Sequence, residues 1–308
     1  MSLLAVFMLI FAACQPGSTP VDEPKDTLLV TVSILPQAYF VERIGGDAVQ
    51  VNVMVGPGED PHTYEPKPEQ MRALSESQLF FTIGTEYEGA WLPRFADVNP
   101  EMAFVDSADG IMRIMEAIPH SHDHDEAHVD QDEYHPEEVH EQSTGLDPHI
   151  WLSPANGKLI ARNIYNALVA ASPADEDLFS ANYEELIADI DALDQRIIET
   201  LSSTTQRTFM VFHPAWGYFA DQYQLTQLPV EVGGQEPSAS DLATLIGIAR
   251  KENIRVIFIQ PTTSAANARA IAQEIDAEVV VVDPLARDWL GNLERAAAAF
   301  AAALEGEP

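Results

Sequence analysis

Two histidines in this sequence occur in the same motif, Asp-Pro-His, and both are well suited to bind a metal ion. His62 ends the first copy of the motif and His149 ends the second. Three large apolar residues follow His149, and then come Ser153 and Pro154, the residue types expected at the N-cap and first position of a helix. The proline and the apolar anchor hold the backbone beside the imidazole in one place. A fixed, neutral imidazole is a good zinc ligand, so we predict that both histidines bind a metal ion.

Two further residues share this context. His213 and Asp283 each follow a predicted strand and precede a proline, and His62 also follows a predicted strand. Ligands of open parallel sheets bind outside the carboxyl ends of the strands. Three imidazoles and one carboxylate complete a tetrahedral zinc shell, so we predict that His62, His149, His213 and Asp283 converge on one metal ion. Taken singly, each histidine could instead be a hydrogen-bonded loop residue, and Asp283 could merely begin a turn. The residues near His62 that could orient its imidazole are Glu59, Asp60, Tyr64 and Glu65.

A polar insertion, residues 119–146, precedes the second motif. It is rich in histidine and acidic residues and almost without apolar ones, so burial cannot order it, and we predict a surface loop. Imidazole and carboxylate both coordinate zinc, which predicts weak accessory metal binding. The alternative is a low-complexity insertion with no role. The candidate accessory ligands are His120, His122, His124, His128, His135 and His140.

The composition indicates a globular, strongly acidic protein. Its 308 residues, 46% of them hydrophobic, are enough to build the cores of two domains. The 49 acidic and 16 basic residues give a formal net charge of -33, which argues against nucleic acid as a partner because phosphate binding needs a basic surface. Cations are the natural ligands of such a chain, although most of the acidic residues are expected to form a solvated surface.

The first residues have the pattern of an export signal. An apolar run over residues 3–13 ends at Cys14, the only cysteine, and is too short to span a bilayer. Residues 11–14 resemble the lipobox of bacterial lipoproteins, which predicts cleavage before Cys14 and a lipid anchor on it. The alternative is an ordinary cleaved signal and an incidental buried cysteine. Residues 15–27 are predicted to form a tether between the anchor and the folded part of the chain.

Beyond the tether, short apolar runs alternate with amphipathic stretches, which is typical of parallel sheets covered by helices. The predicted strands cover residues 28–34, 48–55, 79–83, 102–105, 208–212, 228–232, 255–259 and 278–282. The predicted helices cover residues 37–44, 68–77, 154–171, 174–201, 216–223, 238–253, 264–275 and 289–304.

One predicted helix, residues 174–201, is long enough to connect two lobes. The predicted fold is therefore α/β, with two parallel-sheet lobes joined by one long helix and the metal site in the cleft between the lobes. The predicted segments are a signal at 1–14, a tether at 15–27, a first lobe at 28–172, a linking helix at 173–203 and a second lobe at 204–308. Trp151, Trp216 and Trp289 are expected to lie in the core rather than in the metal site.

Four ordered motifs carry a resemblance to a known family. They span residues 56–66, 147–152, 212–216 and 282–285. Together they resemble the metal-binding lipoproteins of ABC importers for zinc and manganese, the ZnuA-like solute-binding proteins. The resemblance implies a bilobal fold with a rigid linking helix, one metal ion between the lobes, an extracytoplasmic location and delivery of the ion to an ABC permease in the membrane. It implies the same four ligands, and we expect a monomer that has no enzyme activity.

The choice of metal follows from the ligand types. Manganese members of the family usually place a carboxylate at the third position, whereas His213 gives a nitrogen-rich shell that suits Zn²⁺ better than Mn²⁺. A manganese or iron importer, or an adhesin on the same scaffold, is the alternative within the family. A secreted zinc hydrolase is the alternative from another class, with Glu59 as its base. The missing His-Glu-x-x-His motif and a shell already filled by four protein ligands argue against a hydrolase.

Overall fold

Two parallel four-stranded sheets form the two lobes of the protein. The structure is a computed structural model that describes residues 27–117, 145–231, 235 and 237–305. The first sheet has the strand order β2-β1-β3-β4, with every neighbouring pair parallel. Its strands and helices are β1 (Leu28–Ile34), α1 (Leu35–Gly45), β2 (Val49–Val55), α2 (Pro68–Ser75), β3 (Leu79–Thr82), α3 (Glu86–Val98) and β4 (Ala103–Asp106).

The second sheet repeats this arrangement. Its strand order is β6-β5-β7-β8. In each sheet, the strand that comes first in chain order therefore lies between the second and the third strands of that sheet. Its strands and helices are β5 (Thr208–Val211), α6 (Gly217–Gln222), β6 (Thr226–Pro229), α7 (Ala239–Lys251), β7 (Val256–Ile259), α8 (Ala265–Ile275), β8 (Glu278–Val281) and α9 (Trp289–Glu305). The predicted α/β fold with two parallel-sheet lobes is confirmed.

One long helix, α5 (Glu176–Leu201), joins the lobes, as predicted. It follows α4 (Pro154–Ala171), which packs on α1 and α5, and a short 3-10 helix, Pro173–Asp175, lies between α4 and α5. The buried side chains of α5 recur at helical spacing, from Phe179 through Leu186 and Ile190 to Leu201. This stripe packs against α1, α4 and α9, so the last helix of the chain returns from the second lobe to the linking helix. Among the described residues, no helix combines the length and the apolarity needed to cross a membrane.

Two tryptophans tie the lobes together in the core. The ring of Trp289 packs on Phe40, with ring centroids 4.8 Å apart, and fills the space above Gly157. Its Nε1 donates to the carbonyl of Trp151 at 2.7 Å, and Trp151 Nε1 in turn donates to the carbonyl of Pro284 at 2.7 Å. Both rings are fully buried, as is that of Trp216, in agreement with the core positions predicted for all three.

Most predicted elements are present with bounds shifted by a few residues, but one helix was missed and one strand is displaced. Helix α3 was not predicted, because Gly89 and the internal Pro93 interrupt the helical pattern. Strand β6 begins at Thr226, two residues before the predicted start, because Thr226 and Gln227 are polar residues that pair with β5 all the same. The predicted signal, Cys14, the tether up to residue 26 and the six accessory histidines lie outside the described residues.

Candidate metal centre

Three histidines meet where the two lobes face each other. The ligand nitrogens of His62, His149 and His213 all lie within 4.8 Å of one another. The Nε2 atoms of His149 and His213 are 3.2 Å apart. A tetrahedral zinc ion with Zn–N bonds of about 2.0–2.1 Å separates its ligand nitrogens by about 3.3 Å. The two imidazoles are therefore already spaced as ligands of one ion.

The Asp-Pro-His motif places its histidine by a local turn. In the first copy, Asp60 Oδ1 accepts the backbone N–H of His62 at 3.0 Å, and in the second, Asp147 Oδ1 accepts that of His149 at 2.8 Å. Such Asx turns mimic a backbone turn and fix the two residues after the aspartate. Beyond His149, Ser153 accepts the N–H of Asn156 at 3.2 Å and caps α4, as predicted.

His213 follows the end of β5 in the second lobe. The residue before it, Phe212, donates its backbone N–H to the carbonyl of Phe258 at 2.7 Å and so extends the pairing of β5 with β7 by one position. His213 is therefore held at the carboxyl end of a central strand, the location expected for a ligand in a parallel sheet. The side chain of His213 is 8% exposed, whereas that of His62 is 29% exposed.

A carboxylate contacts the Nδ1 atom of every one of these imidazoles. The distances are 3.1 Å from His62 to Glu86, 2.9 Å from His149 to Asp147 and 2.8 Å from His213 to Glu231. An ionised carboxylate only accepts hydrogen bonds, so each contact favours the tautomer that carries the proton on Nδ1 and leaves the lone pair of Nε2 for a metal. This pattern of partners is the usual environment of metal-binding histidines.

The partner of His62 differs from the four residues considered in the sequence analysis. Glu86 lies 24 positions from His62, in the first turn of α3. Asp60 instead holds the backbone of His62, and Glu59 is paired with Lys67 at 2.6 Å. Burial opposes ionisation of Glu59, but the Lys67 ammonium and the Gly56 N–H outweigh it and lower the pKa of that carboxyl.

A buried carboxylate anchors the turn that carries Glu86. The side chain of Glu88 accepts the backbone N–H groups of Ile83 at 3.0 Å and Gly84 at 2.9 Å, and also the hydroxyl of Ser33. Gly84 has a φ of 87°, a conformation that favours glycine. Burial raises the pKa of Glu88. The contacts fix the connection between β3 and α3 and thereby the direction of Glu86.

Burial also sets the charge state of the central histidine. It lowers the pKa of His149, and the neighbouring His213 and His62 lower it further, while Asp147 acts in the opposite direction. The net effect keeps the imidazole neutral, as a metal ligand must be. Glu116 faces the same cluster, and burial together with the charge of Asp147 raises its pKa.

Asp283, the fourth predicted ligand, does not belong to the group of atoms that lie within 4.8 Å of one another. Its Oδ1 accepts the backbone N–H of Leu285 at 2.9 Å, the same Asx turn as in the two Asp-Pro-His motifs, and its carbonyl accepts the side-chain amide of Asn292 at 2.6 Å. It lines a cavity of about 600 Å³ between the lobes. A second cavity of about 20 Å³, enough for one ion or water, is lined by the three histidines and shares Gln260 with the larger one.

Known proteins match this chain over most of its length. The model of the family described as "Zinc-uptake complex component A periplasmic" matches residues 30–303. The high-affinity zinc uptake system protein ZnuA of Bacillus subtilis (strain 168) is 30% identical over 289 residues, which cover 92% of this chain and 87% of that protein.

Solved structures show the same fold. The crystal structure of a ZnuA deletion mutant with zinc bound is 40% identical and superposes with a TM-score of 0.81 over 92% of this chain and 100% of the other. A manganese-bound periplasmic metal-binding protein from Candidatus Liberibacter asiaticus, 20% identical, shares the fold with a TM-score of 0.74 over 90% of this chain and 100% of the other. The family model covers nearly the whole of the described chain, and the chain belongs to the family of periplasmic A components of zinc-uptake complexes.

Proposed function

We propose that this protein captures one Zn²⁺ ion outside the cytoplasm, with His62, His149 and His213 as ligands, and delivers it to an ABC permease. The observation that carries the proposal is the 3.2 Å distance between two Nε2 atoms that both point away from a carboxylate partner. The zinc-bound relative at 40% identity and the zinc-uptake protein at 30% identity support zinc as the ion.

The ligand chemistry favours zinc over manganese or iron. Three neutral imidazoles make a nitrogen shell, which suits zinc, whereas manganese prefers carboxylate and water oxygens. Asp283 stays the predicted fourth ligand. Its position after β8 and beside the cavity that adjoins the three histidines supports it, since a small closure of the cleft would bring a carboxylate of the second lobe toward the ion.

The hydrolase alternative has little support. Its one candidate base, Glu59, is ion-paired with Lys67, accepts the N–H of Gly56 at 2.7 Å and lines the larger cavity rather than the one beside the histidines. A general base must reach the metal-bound water directly or through one further water. We therefore expect binding without turnover.

The membrane anchor and the oligomeric state also remain proposals. We propose that Cys14 carries the lipid and that the folded chain acts as a monomer on the extracytoplasmic side. Labelling of cells with a fatty-acid analogue should mark the wild-type chain and leave a Cys14→Ser variant unlabelled. Light scattering of the chain without residues 1–14 should give the mass of one chain.

The test of zinc capture is a chelator competition titration of His149→Ala in a chain without residues 1–14. Wild-type protein should hold one zinc ion tightly and manganese far more weakly. The variant should bind zinc more than 100-fold more weakly, because loss of a ligand exceeds the roughly 10–100-fold effect of losing an outer partner. His120→Ala, which removes a histidine of the insertion, is the matched control and should keep the tight site. Unchanged zinc affinity in His149→Ala would remove this residue from the site.

A further inference from the structure

The two segments that flank the insertion are joined to each other by backbone hydrogen bonds. Met115 and Leu146 form an antiparallel bridge, Glu116 donates its N–H to the carbonyl of Gly145 at 2.7 Å, and Asp147 donates its N–H to that of Ile114 at 2.9 Å. We call residues 114–116 and 145–147 the neck. The neck ends at Asp147, the residue that holds both the backbone and the imidazole of His149.

A tyrosine of the second lobe binds both sides of the neck. The hydroxyl of Tyr218 accepts the backbone N–H of Ile114 at 3.2 Å and donates to the carbonyl of Asp147 at 3.1 Å. Tyr218 is buried and lies in α6, five residues after His213. A single side chain therefore connects the helix that follows one proposed ligand to the turn that carries another.

The residue before this tyrosine makes a second close contact with the same turn. A Cβ atom at Gly217 would overlap Asp147 Oδ2 and would lie 3.4 Å from the Cδ1 atom of Ile114. Asp147 is completely buried, and its Oδ2 has no hydrogen-bond partner among the described residues. The backbone of α6 thus packs directly on this carboxylate, and only glycine leaves room for it.

We propose that Gly217 and Tyr218 are positioning residues that set His149 against His213 before zinc binds. His149 belongs to the first lobe and His213 to the second, so the 3.2 Å between their Nε2 atoms depends on a contact between the lobes. Gly217 and Tyr218 of the second lobe make such a contact with Asp147, the residue that holds His149. The inference rests on the proposed function, because it takes both histidines as zinc ligands.

The test uses two variants, each with a matched control. Tyr218→Phe removes the hydroxyl that binds the neck. Its control, Tyr223→Phe, removes another hydroxyl of a buried tyrosine in the same lobe. That hydroxyl donates to Asp194 at 2.7 Å and does not contact the neck. Gly217→Ala adds a methyl group against Asp147. Its control Gly291→Ala adds one against Asp288, an exposed carboxylate that is ion-paired with Arg295.

Three measurements are made on each protein: zinc affinity by chelator competition, the visible absorption spectrum of the Co²⁺-loaded protein, and the melting temperature without metal. Tyr218→Phe should bind zinc about 10-fold more weakly, and Gly217→Ala about 10–100-fold more weakly, as expected for residues that orient a ligand. Both should alter the Co²⁺ bands, which report the arrangement of the ligands. The two controls should leave affinity and spectrum as in the wild type, even where they lower the melting temperature.

The outcomes separate the inference from the function on which it rests. Tight zinc binding by the wild type together with wild-type affinity and spectrum in Tyr218→Phe would overturn the positioning role alone. Equal losses in Tyr218→Phe and Tyr223→Phe would overturn it too, because a general loss of stability would then explain both. A wild-type protein without a tight zinc site would refute the proposed function itself. If Gly217→Ala fails to melt cooperatively, the comparison of the two tyrosine variants decides the question.

Discussion

The carboxylates behind the imidazoles allow a graded test of the proposed centre. Glu231→Gln and Glu86→Gln each keep the shape of the side chain and an oxygen that accepts from Nδ1, and each removes one negative charge. The two sites differ in burial. Glu231 is 19% exposed and contacts a buried imidazole, whereas Glu86 is 57% exposed and contacts a more exposed one. The same chemical change should therefore have different effects on zinc affinity.

The magnitudes follow from the strength of the two hydrogen bonds. A hydrogen bond to a charged group contributes about 1.5–3 kcal/mol and one between neutral groups about 0.5–1.5 kcal/mol. Loss of the charge on Glu231 should thus cost about 1–1.5 kcal/mol of zinc binding, which is about 10-fold in affinity. The charge of Glu86 is screened by solvent, and exposed ion pairs contribute about 0.2–1 kcal/mol. Glu86→Gln should weaken zinc binding by about fivefold at most.

The assay is competition for zinc against a chelator of known affinity, at constant pH and salt. Glu199→Gln, a change at an exposed position of α5, controls for the loss of one negative charge from the whole molecule. The expected order of affinity is wild type and Glu199→Gln highest, then Glu86→Gln, then Glu231→Gln. An equal or larger loss in Glu86→Gln than in Glu231→Gln would refute the argument from burial. An affinity of Glu231→Gln equal to that of Glu199→Gln would refute the role of Glu231 altogether.

Three further experiments test other parts of the structure. Burial lowers the pKa of His149, so below the unfolded value of about 6.5 the unfolded chain binds a proton that the folded chain does not. The metal-free protein should therefore lose stability as the pH falls from 6.5. Melting curves from pH 8 to 5 measure this loss, which should be smaller in His149→Gln. Gly157→Ala should destabilise the protein by about 1–3 kcal/mol because its methyl group overlaps Trp289, whereas Gly247→Ala, with open space around it, should not lower the melting temperature. Deletion of residues 121–144 should remove the predicted weak zinc binding, as measured by calorimetry, and keep one tight site, because the two sides of the neck are hydrogen-bonded to each other without the insertion. Loss of the tight site would contradict this.

The positions of His62 and His149 in the candidate site were predictable from sequence because local turns place them. Each Asp-Pro-His motif folds as an Asx turn within three residues, and the prolines and apolar neighbours that stiffen it are adjacent in the chain. Asp283 precedes a proline and forms the same turn, so its sequence context looks like that of the histidines. Its carboxylate nevertheless lies outside the cluster of the three imidazoles. A local motif fixes a turn, but the distance between two turns depends on how the lobes pack.

The carboxylates that hold His62 and His213 were not predictable in this way. Glu86 lies 24 residues from its histidine, in the first turn of α3, and Glu231 lies 18 residues from its own, two residues after the end of β6. No spacing within a helix or turn relates them, and α3, which carries Glu86, was itself missed because of Pro93. The contact of α6 with Asp147 is likewise visible only once the two lobes are placed, although the glycine before Tyr218 is the residue type that such a close approach requires.

The charges at the centre explain how capture and selectivity divide between different residues. The net charge of -33 is not by itself a local field at the site, because at physiological salt charges farther away than the Debye length of about 8 Å are largely screened. Glu86, Asp147 and Glu231 are different, since each contacts an imidazole directly. Three carboxylates around neutral ligands make a local field that any divalent cation would partly neutralise, so the field alone would also favour magnesium or calcium. The nitrogen shell removes that ambiguity because hard cations prefer oxygen ligands. In the proposed centre, the outer carboxylates attract the cation, and the imidazoles that they orient give the preference for zinc.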